Sequence, residues 1–142
     1  MSTNGAVGIV YKGKIKAIYT HWDSYVDGVG KTLVENYDLA KAELLMREGN
    51  CSVLGSEIGV KHPFDTYRLT EAEKVVYEGM SVFYGRDRDE EDQDSQMFDN
   101  AEDFLEGFGG EYWYLLGTDG VWYFSQGDMN WKPVSENLGI NA

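Results

Sequence analysis

Residues 112–124 read YWYLLGTDGVWYF, two runs of aromatic and aliphatic residues on either side of Asp119 and Gly120. Aromatic residues favour strands, and an Asp-Gly pair can supply the positive φ angles of a tight turn. The stretch therefore predicts a β-hairpin. A second hairpin is predicted near the N-terminus, where apolar runs at 7–10 and 15–19 flank a Lys-Gly-Lys link.

Helical segments and one more strand separate the two predicted hairpins. Apolar periodicity and cap residues, including a Thr70-Glu-Ala-Glu73 capping box, predict helices at 29–37, 38–47, 70–79 and 100–107 and a strand at 80–84. The order β-β, helices, β, helix, β-β favours the α+β class. We expect a single domain over residues 1–142, with a mainly antiparallel sheet and three to four short helices packed on one face.

The composition is typical of one acidic globular domain. The 142 residues are 42% apolar and 14% aromatic, which is enough to build a core. No apolar run reaches the roughly 18 to 20 residues that a membrane span needs, and the N-terminus lacks the features of a signal peptide. The single cysteine, Cys51, cannot form an internal disulfide. We therefore expect a cytoplasmic protein that does not enter a membrane.

Most of the net charge of −13 lies in one stretch. Residues 87–106 contain ten carboxylates and one basic residue, Arg88, which gives −9. Such a field repels nucleic acid phosphates and attracts basic protein surfaces. We expect residues 87–99 to form an exposed acidic loop that binds a partner. Its candidate partner-binding residues are Asp87, Asp89, Glu90, Glu91, Asp92 and Asp94.

The metal and nucleotide motifs suggested by the sequence are incomplete. The segment GVGKT at 28–32 has Tyr25 where a phosphate-binding loop needs its first glycine. Calcium-loop registers that start at Asp87 or Asp92 lack the required glycine and glutamate. His21 and His62 match no local metal motif. The sequence therefore predicts no metal site, no cofactor and no catalytic residue.

An alternative hypothesis is a small-molecule or nucleotide site, with or without catalysis, where two strand ends meet. Alternate residues of an extended segment point the same way, so the two arginines that interrupt the acidic run could grip an anion. Pairing of these arginines with neighbouring carboxylates is the simpler interpretation. The residues of the alternative site would be His21, Asp23, Lys31, Arg86 and Arg88.

The segment HWDSY at 21–25, followed by GVGKTL at 28–33, resembles a family of small uncharacterised proteins of bacteriophages and prophages. The family pattern is His-Trp-Asp-Gly-Tyr-Pro, then a short gap, a glycine and a helix. The stretches SVLG at 52–55 and FYGRDR at 83–88 are similar to the same family. The resemblance implies no activity and no catalytic residues.

The chain departs from the family pattern at Ser24 and Val26, where glycine and proline are usual. The resemblance implies a phage protein that works in the host cytoplasm, and small acidic phage proteins often bind host proteins. We therefore expect a non-enzymatic protein that binds a basic surface of a host protein, as an inhibitor of host defence that mimics the charge of DNA. A role in the virion and a homo-oligomeric state are left open.

Overall fold

One eight-stranded sheet organises the computed structural model, which describes residues 2–139. Seven strands lie side by side in the order β4-β3-β2-β1-β6-β7-β8, and β5 pairs with β2. In chain order the strands are β1 (Gly5–Tyr11), β2 (Lys14–Thr20), β3 (Cys51–Val53), β4 (Val82–Phe83), β5 (Gln96–Phe98), β6 (Tyr112–Leu116), β7 (Trp122–Ser125) and β8 (Lys132–Pro133). The pairings are antiparallel except for β1 with β6 and β2 with β3.

Both predicted hairpins are confirmed. The link between β1 and β2 has Lys12 at φ 51° and Gly13 at φ 78°, the pair of positive φ values that a two-residue hairpin turn requires. In the turn between β6 and β7, Gly120 has φ 80° and the Asp119 carboxylate accepts a hydrogen bond from the amide of Val121. Because β1 pairs with β6, the two hairpins form the centre of the sheet.

Two strands share one edge of β2. β5 pairs with the first half of β2, whereas β3 pairs with its last residue, Thr20. The Asn50 side chain lies between them, where its Oδ1 accepts a hydrogen bond from the Tyr19 amide at 2.9 Å. Its Nδ2 donates to Oε1 of Gln93 at 3.1 Å, and its own amide donates to the Gln93 carbonyl at 2.8 Å. Asn50 therefore joins the sheet to Gln93, which lies within the acidic stretch 87–106.

Five α-helices connect the strands within residues 2–139, and the caps predicted for three of them are confirmed. They are α1 (Lys31–Asn36), α2 (Leu39–Glu48), α3 (Glu71–Val76), α4 (Tyr84–Arg88) and α5 (Ala101–Gly107). Asp38 caps α2, Thr70 and Glu73 form the capping box of α3, and Asn100 caps α5. A π-helical turn at Val26–Gly30 precedes α1. No helix of the described residues is long and apolar enough to cross a membrane.

The α+β class with a mainly antiparallel sheet is confirmed, but the helices lie on both faces of the sheet rather than on one. Val7 and Ile9 of β1 belong to the core under α1 and α2, which contribute Leu33 and Leu45. Successive strand residues point to opposite faces, so Ala6 lies in a second core cluster with Phe104 and Phe108. Because this second face is also apolar, α5 packs on it.

Candidate functional site

Burial and secondary structure divide the predicted acidic loop, residues 87–99, into three parts. Asp87 lies in α4 and its side chain is 0% exposed. Residues 96–98 form β5. The prediction of one exposed loop over residues 87–99 is therefore wrong for Asp87, which does not face a partner, and for the part that forms a strand. Between the helix and the strand, residues 89–94 form an irregular loop in which Asp89, Glu91, Asp92 and Asp94 are exposed, and we call these six residues the acidic loop.

Arg86 and its hydrogen-bond partners explain why Asp87 is buried. The guanidinium group has five N–H donors. Two of them bind Asp87, from Nε to Oδ1 at 3.0 Å and from Nη2 to Oδ2 at 3.2 Å. The other three contacts go to the backbone carbonyls of Ile58, Gly59 and Ser81 at 2.9 to 3.1 Å. Arg86 therefore has no donor left for a ligand.

The Asp87 carboxylate accepts two further hydrogen bonds, from the amides of Phe83 at 2.8 Å and His62 at 3.1 Å. Burial by itself raises the pKa of Asp87, but these bonds and the bonds from Arg86 hold it below its ordinary value. Nδ1 of His62 lies 3.2 Å from the same carboxylate, and the His62 side chain is 1% exposed. The pair fastens the loop that carries His62 to the start of α4.

The carboxylates of the acidic loop differ in their partners. Asp89 pairs with Lys61 at 3.0 Å, and Glu90 pairs with Arg88. The remaining three, Glu91, Asp92 and Asp94, are exposed, and in residues 2–139 no basic side chain lies within ion-pair distance of them. These three carboxylates present their charge to solvent without a counter-charge.

The backbone of the acidic loop is held in place from both ends. The amides of Asp89 and Glu90 donate to the carbonyls of Gly85 and Tyr84, the first two residues of α4, and the Gln93 carbonyl accepts from the amide of Asn50. Asp89 and Asp92 adopt left-handed backbone conformations, with φ of 54° and 59°. Aspartate is one of the few residues that enter this region readily. The backbone that carries these carboxylates is therefore ordered.

The alternative site does not assemble as one pocket. The Arg86 guanidinium lies 4.7 Å from the ring of Phe83, which is part of the core under α1 and α2. Nδ1 of His21 lies 2.7 Å from the hydroxyl of Tyr19, which packs against the α5 core on the other face. The neighbours of His21 and Arg86 therefore belong to different core clusters, and within residues 2–139 no hydrogen bond, ion pair or ring contact joins the two side chains.

The remaining residues of the alternative site do not form an anion clamp. Arg88 lies over the rings of Phe64 at 4.3 Å and Tyr84 at 5.1 Å and pairs with Glu90. Asp23 and Lys31 are exposed on the segment before α1 and at the first residue of α1. The simpler interpretation of the arginines, pairing with neighbouring carboxylates, describes both of them.

The HWDSY segment forms a tight turn. Asp23 has φ 57°, and its carbonyl accepts a hydrogen bond from the amide of Val29 at 2.8 Å. A Cβ atom on Gly28 would lie 2.2 Å from that carbonyl oxygen, so glycine is required there. Ser24 is buried, and its carbonyl accepts a hydrogen bond from the Tyr114 hydroxyl at 2.6 Å. These residues therefore have a structural role that joins the loop to β6.

No group of three or more histidine, cysteine, aspartate or glutamate side chains in the described part of the chain could hold a metal ion. Cys51 is fully buried, and burial raises the pKa of its thiol to about 12. A thiol with such a high pKa carries almost no thiolate at neutral pH, so it is a poor nucleophile.

No motif in the sequence predicts the open cleft of about 730 Å³ that lies between α1, α2 and the β6–β7 turn. It is lined by Val34, Glu35, Asn36, Tyr37, Asp38, Ala40, Lys41, Leu44, Gly120, Val121, Trp122 and Ser135. These residues come from three separate parts of the chain, and only the fold brings them together. None of the residues predicted for either candidate site lines this cleft.

Comparison with known proteins identifies no family. No protein-family model, no curated protein and no solved structure matches this chain. The resemblance to bacteriophage proteins therefore stays a prediction, and the function has to be inferred from the geometry of the residues themselves.

Proposed function

We propose that this protein acts by binding a basic surface of another protein through its acidic loop, residues 89–94. The observation that carries the proposal is that Glu91, Asp92 and Asp94 are exposed and without a basic partner in the described chain, on a backbone that Asn50 holds in place. Charge of one sign on a surface selects partners of opposite charge and accelerates their approach.

The fixed backbone strengthens this proposal. A flexible acidic tail loses conformational entropy when it binds, whereas a loop that is already ordered loses much less. Carboxylates carried on an ordered backbone can also discriminate between basic surfaces by their spacing, which a flexible segment does poorly. The proposed partner is a protein whose basic surface binds nucleic acid, because such surfaces are built to accept regularly spaced negative charges.

In the setting implied by the resemblance, the partner is a host protein and the acidic loop competes with DNA or RNA for it. The protein would then act in the host cytoplasm as an inhibitor, without catalysis. The alternative, a small-molecule or nucleotide site, has less support because Arg86 and Arg88 are already bound within the protein.

The test is a capture experiment with charge-neutral variants. The variant Glu91→Gln, Asp92→Asn, Asp94→Asn removes the three unpaired charges, and asparagine tolerates the left-handed conformation of residue 92. The control, Glu43→Gln, Glu78→Gln, Glu106→Gln, removes the same charge from exposed positions elsewhere. Both immobilised variants and the wild type are incubated with bacterial lysate at low and high salt.

We expect the wild type and the control to capture a basic protein at low salt, to lose it at high salt and to release it when duplex DNA is added. The loop variant should capture at most about a tenth as much, which corresponds to about 1.4 kcal/mol of binding free energy. Equal capture by the loop variant, or a complex that duplex DNA does not disturb, would contradict the proposal.

A further inference from the structure

The cleft between α1, α2 and the β6–β7 turn has a rigid apolar floor. Trp122 is nearly buried, and its indole Nε1 donates a hydrogen bond to the Tyr37 carbonyl at 2.9 Å. This bond fixes the Trp122 ring below the opening. In the same lining, Val34 is 37% exposed and Leu44 is 48% exposed. A cluster of exposed apolar side chains beside a concave surface is typical of a binding site.

The charge that this cleft presents is negative. Glu35 and Asp38 are exposed in its lining. Among the described residues of the lining, Lys41 is the single basic one, and its ammonium group already has partners within the protein. Its Nζ donates to the carbonyl of Ser56, lies 3.6 Å from Glu57 and sits 4.6 Å above the ring of Tyr37. The two carboxylates therefore have no free basic neighbour in the lining.

The shape and the charge of the cleft together indicate which kind of molecule it binds. The cleft is open to solvent along its length, which suits a segment of a polypeptide better than an enclosed small molecule. Apolar side chains of that segment would contact Val34, Leu44 and Trp122, and a basic side chain would reach Glu35 or Asp38. We propose that this cleft binds an apolar segment of a partner protein that carries a lysine or arginine beside its apolar residues.

This site is separate from the acidic loop, since none of residues 89–94 lines the cleft. The two surfaces also differ in kind. The acidic loop offers charge alone, whereas the cleft combines apolar contact with two carboxylates. A partner that uses the cleft therefore has to present an apolar segment, and binding to it should survive salt concentrations that dissociate a purely electrostatic complex.

The experiment uses two synthetic peptides of 14 residues. Both place leucine on one face of a helix, and the polar face is lysine in one peptide and glutamate in the other. Binding is measured by calorimetry in the Glu91→Gln, Asp92→Asn, Asp94→Asn background, which removes the free charges of the acidic loop. A result for the cleft is then independent of the result for the acidic loop.

Variants locate the binding surface. Leu44→Ser removes an exposed apolar side chain of the cleft, and Val75→Ser, at a 70% exposed position on α3, is its matched control. Glu35→Gln with Asp38→Asn removes the charge while asparagine keeps the cap of α2. Glu43→Gln with Glu78→Gln is the matched control for charge. Circular dichroism shows whether each variant is folded.

A fluorescent label reports where the peptide lies. An environment-sensitive maleimide dye is attached through Ser135→Cys, in the lining of the cleft, or through Ser95→Cys, beside the acidic loop. Cys51 is fully buried and stays unlabelled in the folded protein. Peptide in the cleft shifts the emission of the label at residue 135 and leaves the label at residue 95 unchanged.

We expect the leucine-lysine peptide to bind, the leucine-glutamate peptide to bind at least about tenfold more weakly, and Leu44→Ser to weaken binding about fivefold or more. Both control variants should bind as the background does. The proposal is overturned if the leucine-lysine peptide does not bind, if Leu44→Ser has no effect, or if both peptides bind equally. It is also overturned if the protein self-associates and Leu44→Ser abolishes that association, because a second copy then occupies the cleft.

Discussion

Arg86 and Asp87 are neighbours in the sequence and form a two-point ion pair, with Nε 3.0 Å from Oδ1 and Nη2 3.2 Å from Oδ2. The carboxylate is fully buried and accepts two amide hydrogen bonds as well. Such a pair adds little net stability compared with apolar residues of the same size, but the loss of one partner leaves the other charge buried and unpaired.

The first prediction concerns this pair. Asp87→Asn should lower the free energy of unfolding by about 3 to 5 kcal/mol, because the Arg86 guanidinium loses its counter-charge in a buried position. Asp89→Asn removes an exposed carboxylate paired with Lys61 and should cost less than about 1 kcal/mol. Urea denaturation of the two variants measures the difference. Equal losses of stability would show that the burial of Asp87 has no energetic consequence.

Acid should destabilise the protein through the same carboxylate. The pKa of Asp87 is lowered in the folded protein, even though burial opposes this, because Arg86 and two amides stabilise the charged form. A folded-state pKa below the unfolded value of about 3.9 contributes stability above pH 4, and this contribution is lost as the pH falls through the folded value.

The check on this acid effect is the urea midpoint between pH 7 and pH 2. The wild type should lose stability from about pH 4 downward, and Asp87→Asn should lose less over the same interval because it has no proton to take up there. Parallel curves for the two proteins would show that other carboxylates account for the whole effect.

A third prediction concerns Asn50, whose side chain completes the shared edge of β2. Asn50→Ala leaves the Tyr19 amide without its acceptor and should cost about 1 to 3 kcal/mol. Gln93→Ala removes only the contact to Nδ2 of Asn50 and should cost less. Amide hydrogen exchange at Tyr19 distinguishes the two variants. It should accelerate in Asn50→Ala and stay near the wild-type rate in Gln93→Ala.

Alanine substitutions at two glycines with positive φ distinguish the cost of backbone strain from the cost of steric overlap. A Cβ on Gly49, at φ 84°, would lie 2.1 Å from the Gln93 carbonyl oxygen, whereas a Cβ on Gly13, at φ 78°, meets nothing within 4 Å. Gly13→Ala should therefore cost about 1 to 2 kcal/mol, the ordinary cost of a left-handed conformation. Gly49→Ala should cost more than about 3 kcal/mol, because the acidic loop has to move as well. Thermal and urea unfolding of the two variants test this order.

Local signals in the sequence predict much of the secondary structure. The aromatic hairpin, the Lys12-Gly13 turn and the caps at Asp38, Thr70 and Asn100 depend on neighbouring residues alone, and all are present. Strands β3 and β5 are not predicted, since each has only three residues and exists through its pairing with neighbouring strands, β3 with β2 and β4, and β5 with β2. Short strands of this kind are determined by tertiary contacts rather than by propensity.

The candidate site, like these short strands, depends on tertiary contacts that the sequence does not indicate. The charge of the acidic loop can be counted in the sequence, but the burial of Asp87 cannot. It depends on carbonyl groups of Ile58 and Gly59, nearly 30 residues earlier in the chain, that complete the hydrogen bonding of Arg86. The cleft with Trp122 at its floor likewise joins α1, α2 and a distant turn, so no local pattern in the sequence could indicate it.

The strands at the two ends of the sheet affect the tendency of the protein to aggregate at high concentration. β4 and β8 have two residues each, and β8 contains Pro133, which has no amide to donate. Short outer strands with proline or lysine are poor templates for the stacking of one molecule on another into fibrils. The fold should therefore tolerate high protein concentrations without forming aggregates.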